Sequence, residues 1–243
     1  MPGYELLTDA WSGPLDAPPC DHPRIPGYLE HHYRWAYLDP LNAWLLDRRA
    51  VVESILFGHY RRLSNAALRA LEPAPGRRLQ QLGCVYGDLT PRLARMLSSG
   101  DLEVVDAAPL QIARLRRKLP PGDRSVLHCR DATLPGPVKG RFDAVLLFFL
   151  LHELPADCQR RALAEALRVC RPGGRVVVVD YARPHALHPL RWLLPPLFHW
   201  LEPFAETFWS EPIESLLPSD DRVRIESTRR WFGGLYRMVT LSC

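Results

Sequence analysis

The sequence predicts an α/β domain built on a mostly parallel sheet, because short apolar strand patterns alternate with helical patterns from residue 77 onward. Residues 144–151 form an uninterrupted apolar run, and residues 176–179 are four consecutive valines. Such runs are typical of strands that are buried on both faces of a parallel sheet. Near the end of the chain, Gly233-Gly234 separates two further strand patterns, which predicts a final antiparallel hairpin.

Each predicted element follows from its periodicity and from signals at its ends. Thr90 before Pro91 predicts a helix start, since a capping hydroxyl precedes a proline at the first helical position. Pro172, Gly173 and Gly174 predict the end of a helix. The predicted helices of this region cover 90–98, 109–118 and 155–170, and the predicted strands cover 78–82, 102–106, 125–129, 142–150, 175–180, 223–231 and 235–241.

The N-terminal part of the chain differs from this pattern. Six prolines fall within residues 1–26, which predicts an irregular segment. Asp39 before Pro40 predicts a helix start with apolar residues following at helical spacing, and a second helix is expected at 64–71. The predicted regions are an irregular arm at 1–27, a helical cap at 28–76 and a main domain at 77–243 with an aromatic insertion at 185–218.

The composition is that of a globular chain of 243 residues, 47% hydrophobic and 24% charged. A net charge of +4 gives no argument for a nucleic-acid partner, and we expect none. No apolar run approaches the roughly 18 residues of a membrane span. The six cysteines include no Cys-x-x-Cys pair, and no signal-peptide pattern opens the chain, so we expect free thiols in a reducing cytoplasm.

Polar side chains fall at the predicted carboxyl ends of several strands. Asp106, Asp131 and Asp180 each end or follow a strand, as does the pair His152-Glu153. The carboxyl ends of parallel strands lie along one edge of the sheet, where ligands of open α/β folds bind. These side chains, with the loop after the first strand, therefore predict a site at that edge.

Six short motifs carry a resemblance to a known family. They are Leu-Gly-Cys-x-x-Gly (82–87), Val-Asp-Ala (105–107), Arg-Asp-Ala (130–132), Phe-Asp-Ala-Val (142–145), Leu-His-Glu-Leu-Pro (151–155) and Arg-Pro-Gly-Gly-Arg (171–175). In order and spacing they resemble the class I S-adenosylmethionine-dependent methyltransferases, especially the quinone-methylating branch. The resemblance implies a Rossmann-like, mostly parallel seven-stranded sheet with a C-terminal antiparallel hairpin, and S-adenosylmethionine as cofactor.

The resemblance also implies a set of cofactor-binding residues. Asp106 would accept hydrogen bonds from both ribose hydroxyls, with a surface turn as the alternative. Asp131 would meet the adenine edge, with a turn or helix cap as the alternative. Gly83 and Gly87 would let the backbone approach the cofactor closely. The full implied set is Gly83, Cys84, Tyr86, Gly87, Asp106, Ala107, Asp131 and Ala132.

A narrower resemblance rests on four segments. They are Tyr-Arg-Trp-Ala-Tyr-Leu-Asp-Pro (33–40), Val-Val-Glu-Ser-Ile-Leu-Phe-Gly-His-Tyr-Arg-Arg-Leu (51–63), Cys-Val-Tyr-Gly-Asp-Leu-Thr (84–90) and Leu-Glu-Pro-Phe-Ala (201–205). They look like the rhodoquinone-biosynthesis protein, a divergent relative of these methyltransferases. This resemblance implies conversion of ubiquinone to rhodoquinone, in which an amino group replaces a ring methoxy group. S-adenosylmethionine would be the amino donor, and Mn(II) a second cofactor.

The loop at 79–90 departs from the usual methyltransferase pattern. Gln80 and Gln81 stand where an acidic residue is usual, and Tyr86 and Asp88 replace small residues. We expect Tyr86 and Asp88 to be catalytic residues at the reacting end of the cofactor. The alternative is that they only reshape the loop.

His152 and Glu153 are also expected to be catalytic, because polar side chains that end an apolar strand are poorly explained by packing. A histidine–carboxylate pair suits a general base or a metal such as manganese. With Asp180 they form the predicted Mn(II) site, and a polar lid over the sheet is the alternative. Further candidate ligands are His31, His32, His185 and His188.

Aromatic residues are the candidates for contacts with the quinone, the substrate that the resemblance implies, and with the membrane. Tyr28, Tyr33 and Tyr37 are expected either to line a quinone pocket or to pack at helical spacing. Residues 190–209 are unusually apolar, which predicts an amphipathic element at a membrane interface, a lid over the site, or both. Because long-tailed quinones reside in the bilayer, we expect a peripheral protein on the cytoplasmic side of the inner membrane.

Two other functions stay open at this point. The first is an S-adenosylmethionine-dependent quinone or small-molecule methyltransferase with a degenerate loop. The second is a non-catalytic quinone- or lipid-binding subunit that has kept the fold. The missing acid and the bulky Tyr86 disfavour an ordinary methyltransferase.

Overall fold

The computed structural model describes residues 25–84, 86–97, 101–201, 204–218 and 223–243. Its strands are β1 (Leu79–Leu82), β2 (Leu102–Asp106), β3 (Val126–Cys129), β4 (Phe142–Phe148), β5 (Cys170–Tyr181), β6 (Arg224–Trp231) and β7 (Tyr236–Ser242). They form one sheet in the order β3-β2-β1-β4-β5-β7-β6. Strands β1 to β5 run parallel, and β7 is antiparallel to both of its neighbours. The predicted mostly parallel sheet with a final hairpin is confirmed.

Helices lie before the sheet and between its strands. They are α1 (Gly27–His32), α2 (Pro40–Leu46), α3 (Arg49–Ile55), α4 (Tyr60–Leu71), α5 (Leu89–Met96), α6 (Pro109–Lys118), α7 (Ala156–Val169), α8 (Leu194–Leu201) and α9 (Ala205–Ser210). Shorter turns cover Arg34–Leu38, which is π-helical, and Leu151–Glu153 and Ile213–Leu216, which are 3-10.

The sheet is covered on both faces. Helices α4, α5 and α6 bury Leu63, Leu93 and Ile112 against one face, and α7 buries Leu163 against the other. The valines at 176–179 alternate between these two cores and are all fully buried. Burial on both sides explains why β5 reads as a continuous apolar run rather than an alternating one.

The predicted helical spacing from Asp39 to Leu56 is interrupted between α2 and α3. Asp39 caps α2 as expected, since its Oδ1 accepts from the Asn42 backbone N–H at 2.9 Å. The break follows at Asp47, whose carboxylate accepts hydrogen bonds from Arg114 at 3.0 Å and Lys118 at 2.7 Å. Asp47 thus ties the cap to α6.

The expectation of free thiols is wrong for Cys129, Cys170 and Cys243, which are disulfide-bonded. A disulfide joins Cys170 to Cys243, whose Cα atoms are 6.4 Å apart. The pairing has a local cause: the Cys243 N–H donates to the Gly174 carbonyl and the Gly173 N–H donates to the Cys243 carbonyl, which brings the last residue beside β5. Among the described residues, Cys84 and Cys158 are buried free thiols.

The other two predicted regions, the arm and the insertion, lie only partly within the residues that the structure describes. The predicted arm at 1–27 lies outside the described residues apart from its last three. The insertion at 185–218 contains α8, α9 and the turn Ile213–Leu216. Within the described ranges, no helix is long and apolar enough to cross a membrane.

Tyr60 on α4 anchors the loop after β1. Its hydroxyl accepts from the backbone N–H groups of Asp88 at 2.7 Å and Leu89 at 2.9 Å, and it donates to Asp88 Oδ1 at 3.0 Å. The same hydroxyl lies 2.5 Å from where a Cβ on Gly87 would stand, and Gly87 has a φ of +92°. Only glycine therefore fits this position without displacing Tyr60.

The Tyr60→Phe substitution is expected to lower the free energy of unfolding by about 1–3 kcal/mol, because it leaves two buried N–H groups without an acceptor. Urea unfolding followed by circular dichroism measures this change. Tyr236→Phe is the matched control, since the Tyr236 hydroxyl is buried and has no hydrogen-bond partner among the described residues. Stability should stay equal or rise in the control, and equal losses in both variants would contradict the anchoring role.

Candidate functional site

Two adjoining cavities lie at the carboxyl edge of the sheet. The first has a volume of about 50 Å³ and the second about 320 Å³. Tyr37, Phe149 and Glu153 line both of them. The predicted strand-end site is therefore divided into two compartments that share one wall.

The first cavity holds five of the predicted cofactor residues. It lies over the carboxyl ends of β1 and β2, and α1 lies across it. The loop begins here with Gly83 in a left-handed conformation, at a φ of +76°. The lining residues are Tyr28, Leu29, Tyr37, Gly83, Cys84, Val105, Asp106, Ala107, Ala132, Phe149, Leu150, Glu153 and Leu154.

Asp106 connects two loops at the base of the first cavity. Its Oδ2 accepts from the Cys84 backbone N–H at 2.7 Å, and its Oδ1 accepts from the Ala108 N–H at 2.8 Å. Burial raises the pKa of Asp106 above its ordinary value, and burial next to this carboxylate raises the pKa of the Cys84 thiol as well. Since each carboxylate oxygen has two lone pairs, Asp106 keeps acceptor capacity for a ligand.

Gln81 stabilises the loop from within. Its side-chain amide donates to the Gly83 carbonyl at 2.9 Å, and its Oε1 accepts from the Thr90 hydroxyl at 2.9 Å. The side chain is fully buried. An amide can donate to the carbonyl and accept from the hydroxyl at the same time, whereas an ionised carboxylate can only accept. The glutamine that replaces the usual acid is therefore used by the loop itself.

Tyr86 contributes to the second cavity rather than the first. Its ring stacks on Tyr37, with centroids 5.4 Å apart and an interplanar angle of 6°. Its hydroxyl donates to the Ala36 carbonyl of the π-helical turn, and burial raises its pKa. Tyr86 thus joins the helical cap to the second cavity, and it does not line the first cavity, which holds the predicted cofactor residues.

Four predicted site residues lie outside the linings of both cavities: Gly87, Asp88, Asp131 and Asp180. Asp88 accepts a hydrogen bond from Tyr60, which fits the alternative that this residue only shapes the loop. Gly87 packs against Tyr60 in the same anchor. Asp131 accepts from the Thr133 N–H at 2.8 Å and from the Tyr28 hydroxyl at 3.3 Å, which matches the capping alternative.

The second cavity is aromatic, with one polar wall. The polar wall is formed by His152 and Glu153, on the 3-10 turn that follows β4. The lining residues are Tyr33, Trp35, Ala36, Tyr37, Leu46, Val52, Ile55, Leu56, Tyr60, Tyr86, Phe148, Phe149, His152, Glu153 and Tyr181. Its volume lies within the roughly 300–1,000 Å³ typical of small-molecule sites.

His152 is held by a buried carboxylate. Its Nδ1 lies 2.7 Å from Asp180 Oδ1, and Asp180 is fully buried. Because a carboxylate accepts, this contact puts a proton on Nδ1. The ring also packs edge-on against Tyr181, with centroids 4.7 Å apart. The imidazole is therefore fixed in orientation where it lines the aromatic cavity.

The predicted Mn(II) ligands do not form a three-ligand group. Asp180 is already saturated, since besides His152 Nδ1 it accepts from the backbone N–H groups of Leu151, His152 and Tyr181 at 2.9, 3.3 and 2.7 Å. Glu153 Oε1 accepts from the Tyr37 hydroxyl and lies 4.0 Å from His152 Nε2. Across the described part of the chain, no cluster of three or more His, Cys, Asp or Glu side chains is arranged to hold a metal.

The tyrosines and the insertion follow the expected alternatives in part. Tyr28 lines the first cavity, Tyr33 the second and Tyr37 both. In the insertion, Phe198 packs edge-on against Tyr181 at 4.8 Å, but no described residue of 185–218 lines either cavity, so the lid stays a prediction. The side chain of Trp200 lies outside the described ones.

Several lining residues escaped the sequence interpretation. Phe148 ends β4, and Phe149 follows it with a left-handed φ of +54°. The available signal was a pair of aromatic residues separated from the His-Glu pair by two leucines. Trp35 and Ile55 gave no such signal, because their approach depends on how the cap folds over the sheet.

Comparison with protein families identifies a methyltransferase domain model that matches residues 81–174. The chain is 32% identical over 186 residues to the demethylmenaquinone methyltransferase of Tropheryma whipplei, which covers 72% of this chain and 74% of that protein. It is 27% identical to the ubiquinone/menaquinone biosynthesis C-methyltransferase UbiE of Shewanella halifaxensis, over 53% of this chain and 52% of that protein.

Solved structures show the same fold. The N-methyltransferase NodS from Bradyrhizobium japonicum, in complex with S-adenosyl-L-homocysteine, has a TM-score of 0.58 at 16% identity, covering 89% of this chain and 98% of that one. The [4+2]-cyclase SpnF has a TM-score of 0.54 at 18% identity, covering 74% and 79%. At these identities the similarity concerns the fold alone.

Asp180→Asn is expected to lower the free energy of unfolding by about 1–3 kcal/mol. The substitution replaces one carboxylate oxygen by an NH2 group, so the buried N–H groups that donated to that oxygen lose their acceptor. Chemical unfolding measures the change. Asp131→Asn is the control, since that side chain is only half-buried and should cost less. An Asp180→Asn protein as stable as the parent would show that this carboxylate does not hold the site together.

Proposed function

This chain belongs to the class I S-adenosylmethionine-dependent methyltransferase family, and we propose that it transfers a group from S-adenosylmethionine to the ring of an isoprenoid quinone. The fold and its relatives support S-adenosylmethionine as the cofactor. The quinone is supported by the names of the curated relatives and by one observation in the structure. That observation is the second cavity, which is lined by aromatic side chains and by the polar pair His152 and Glu153. This cavity adjoins the first cavity, where we expect the cofactor.

The first cavity fits the cofactor chemically. Asp106 offers a buried carboxylate with spare acceptor capacity for the ribose hydroxyls, and Gly83 and Cys84 offer backbone at close range. At about 50 Å³, however, the space is much smaller than the roughly 300–1,000 Å³ of ligand sites. The lining residues Tyr28 and Leu29 belong to α1, so cofactor binding requires α1 to move outward.

The second cavity fits a quinone ring. Stacked Tyr37 and Tyr86 provide flat surfaces for a planar ring, and the polar atoms of His152 and Glu153 can meet its oxygens. The shared lining of the two cavities brings the ring next to the reacting end of the cofactor. This adjacency is the requirement for direct group transfer.

The leading reaction is methylation of a ring carbon of the reduced quinone. The methyl–sulfur bond breaks as a carbon–carbon bond forms, and the cofactor leaves as neutral S-adenosylhomocysteine. The ring then loses a proton, and His152 Nε2 is the base best placed to accept it. Asp180 stabilises the resulting imidazolium, since the two side chains lie 2.7 Å apart in a buried setting.

The second candidate reaction is the amination of ubiquinone to rhodoquinone. The unusual loop favours it: a glutamine occupies the position of the usual acid, and Tyr86 faces the substrate cavity. The chain offers His152 and Glu153 to the Mn(II) ion that this candidate implies, but the oxygens of Asp180 are occupied. The described residues alone do not complete a manganese site, and we derive no step through one.

Isotope labelling separates these reactions. The protein is incubated with short-tailed demethylated quinol or with ubiquinone, and with S-adenosylmethionine carrying a heavy isotope in the methyl group or in the amino nitrogen. Methylation is expected to move the methyl label into the demethylated quinol, as read by mass spectrometry. Amination would instead move the nitrogen label into ubiquinone with loss of a methoxy group.

Each outcome has a separate meaning for the proposal. Methyl transfer supports the leading reaction and nitrogen transfer supports the second. Bound quinone and bound cofactor without either product would contradict the enzyme proposal and support a non-catalytic quinone-binding subunit.

Two substitutions should separate binding from chemistry. Asp106→Ala is expected to weaken S-adenosylhomocysteine binding by about 1.5–3 kcal/mol, the scale of hydrogen bonds to charged groups. His152→Gln should leave that affinity unchanged while lowering turnover by about 10²–10⁴-fold, the usual contribution of a general base. Titration calorimetry and the product assay measure the two effects, with circular dichroism as the folding control. Equal cofactor affinity in parent and Asp106→Ala would remove Asp106 from the cofactor site.

A further inference from the structure

The segment 181–201 carries an unusual combination of charge and exposure. It contains Arg183 and Arg191 but no Asp or Glu. Among its described side chains, three large apolar ones are exposed: Leu187 is 94% exposed, Trp192 79% and Leu193 55%. Exposed apolar groups beside arginines, without nearby acids in the segment, suit an anionic apolar boundary better than bulk water.

A cleft lies behind this exposed surface. It has a volume of about 440 Å³, and Arg183, His185, Arg191, Trp192 and Trp209 are among its lining residues. The Trp209 Nε1–H is buried and has no acceptor among the described residues. The cleft therefore gathers the guanidinium groups of Arg183 and Arg191, which suit a phosphate group.

Arg191 links the cleft to the apolar surface. Its guanidinium lies over the Trp192 ring, 4.3 Å from the centroid, and it donates to the Ala186 carbonyl. This contact keeps the positive charge of Arg191 beside the amphipathic Trp192 ring. Tryptophan and arginine pairs of this kind occupy the headgroup level of a bilayer, with leucines extending into the acyl region.

The same segment reaches the aromatic cavity. Leu194 and Phe198 of α8 are buried, and Phe198 packs on Tyr181, which lines that cavity. The segment thus presents arginines and apolar groups outward and packs inward on a residue that lines the candidate substrate site.

We propose that the surface formed by Leu187, Trp192 and Leu193 docks on an anionic phospholipid bilayer, with a lipid phosphate bound in the cleft of Arg183 and Arg191. The apolar side chains insert at the acyl boundary, and the arginines neutralise the headgroups. This docking does not depend on the reaction assigned to the protein, because it rests on surface chemistry alone.

Vesicle co-sedimentation of the full chain tests the proposal without any activity measurement. Vesicles of phosphatidylcholine alone are compared with vesicles that also contain phosphatidylglycerol. Binding is expected only to the anionic vesicles, and it should weaken as salt screens the charges. The double variants Trp192→Ser/Leu193→Ser and Arg183→Gln/Arg191→Gln should each reduce binding at least about tenfold.

The matched control is Trp44→Ser/Leu45→Ser on α2. Trp44 is 49% exposed, Leu45 is 48% exposed, and Arg48 lies 3.9 Å from the centroid of the Trp44 ring, so the chemistry is similar. That face also carries Asp39 and Glu53 nearby in the chain, and the control should bind vesicles like the parent.

Three results would overturn the proposal. One is a control variant that loses vesicle binding while Trp192→Ser/Leu193→Ser keeps it. Another is equal binding of the parent to neutral and anionic vesicles. The third is tight binding of soluble glycerol phosphate without vesicle association, which would make the cleft a site for a free anion.

Discussion

The buried carboxylate of Asp180 is the constraint on which the candidate site depends. Asp180 lies one residue before the end of β5, is fully buried, and accepts from His152 Nδ1 and from three backbone N–H groups. Those donors fix the 3-10 turn that follows β4. This 3-10 turn places His152 and Glu153 in the wall of the second cavity. A buried carboxylate left with fewer donors would be strongly unfavourable, so this arrangement resists change.

The division of labour among the acidic residues explains the rest of the site. Asp106 ties the loop after β1 to the start of α6 and keeps capacity for a ligand, whereas Asp47 and Asp88 hold the cap and the loop in place. Gln81 completes the loop with an amide in place of an acid. The carboxylates therefore mostly hold loops and the cap in position, and aromatic side chains of the cap line the second cavity.

The sheet was predictable because its signals are local: alternating elements, valine runs and turn residues decide the strands. The gathering of Asp106, His152 and Asp180 at one edge was predictable from the same parallel topology. The roles of Asp88 and Asp131 were not, since Tyr60 and Tyr28 lie 28 and 103 residues away in the chain. The Cys170–Cys243 disulfide was missed for the same reason, because 73 residues separate its two ends.

We propose that the two adjoining cavities hold cofactor and quinone on either side of the wall formed by Tyr37 and Glu153. A crystal structure of the protein with S-adenosylhomocysteine and a short-tailed quinone tests it most directly. We expect the ribose hydroxyls to contact Asp106, the quinone ring to lie between the cap and His152, and α1 to be displaced from the position it has here. A quinone ring bound outside the aromatic cavity, with His152 contacting neither ligand, would contradict it.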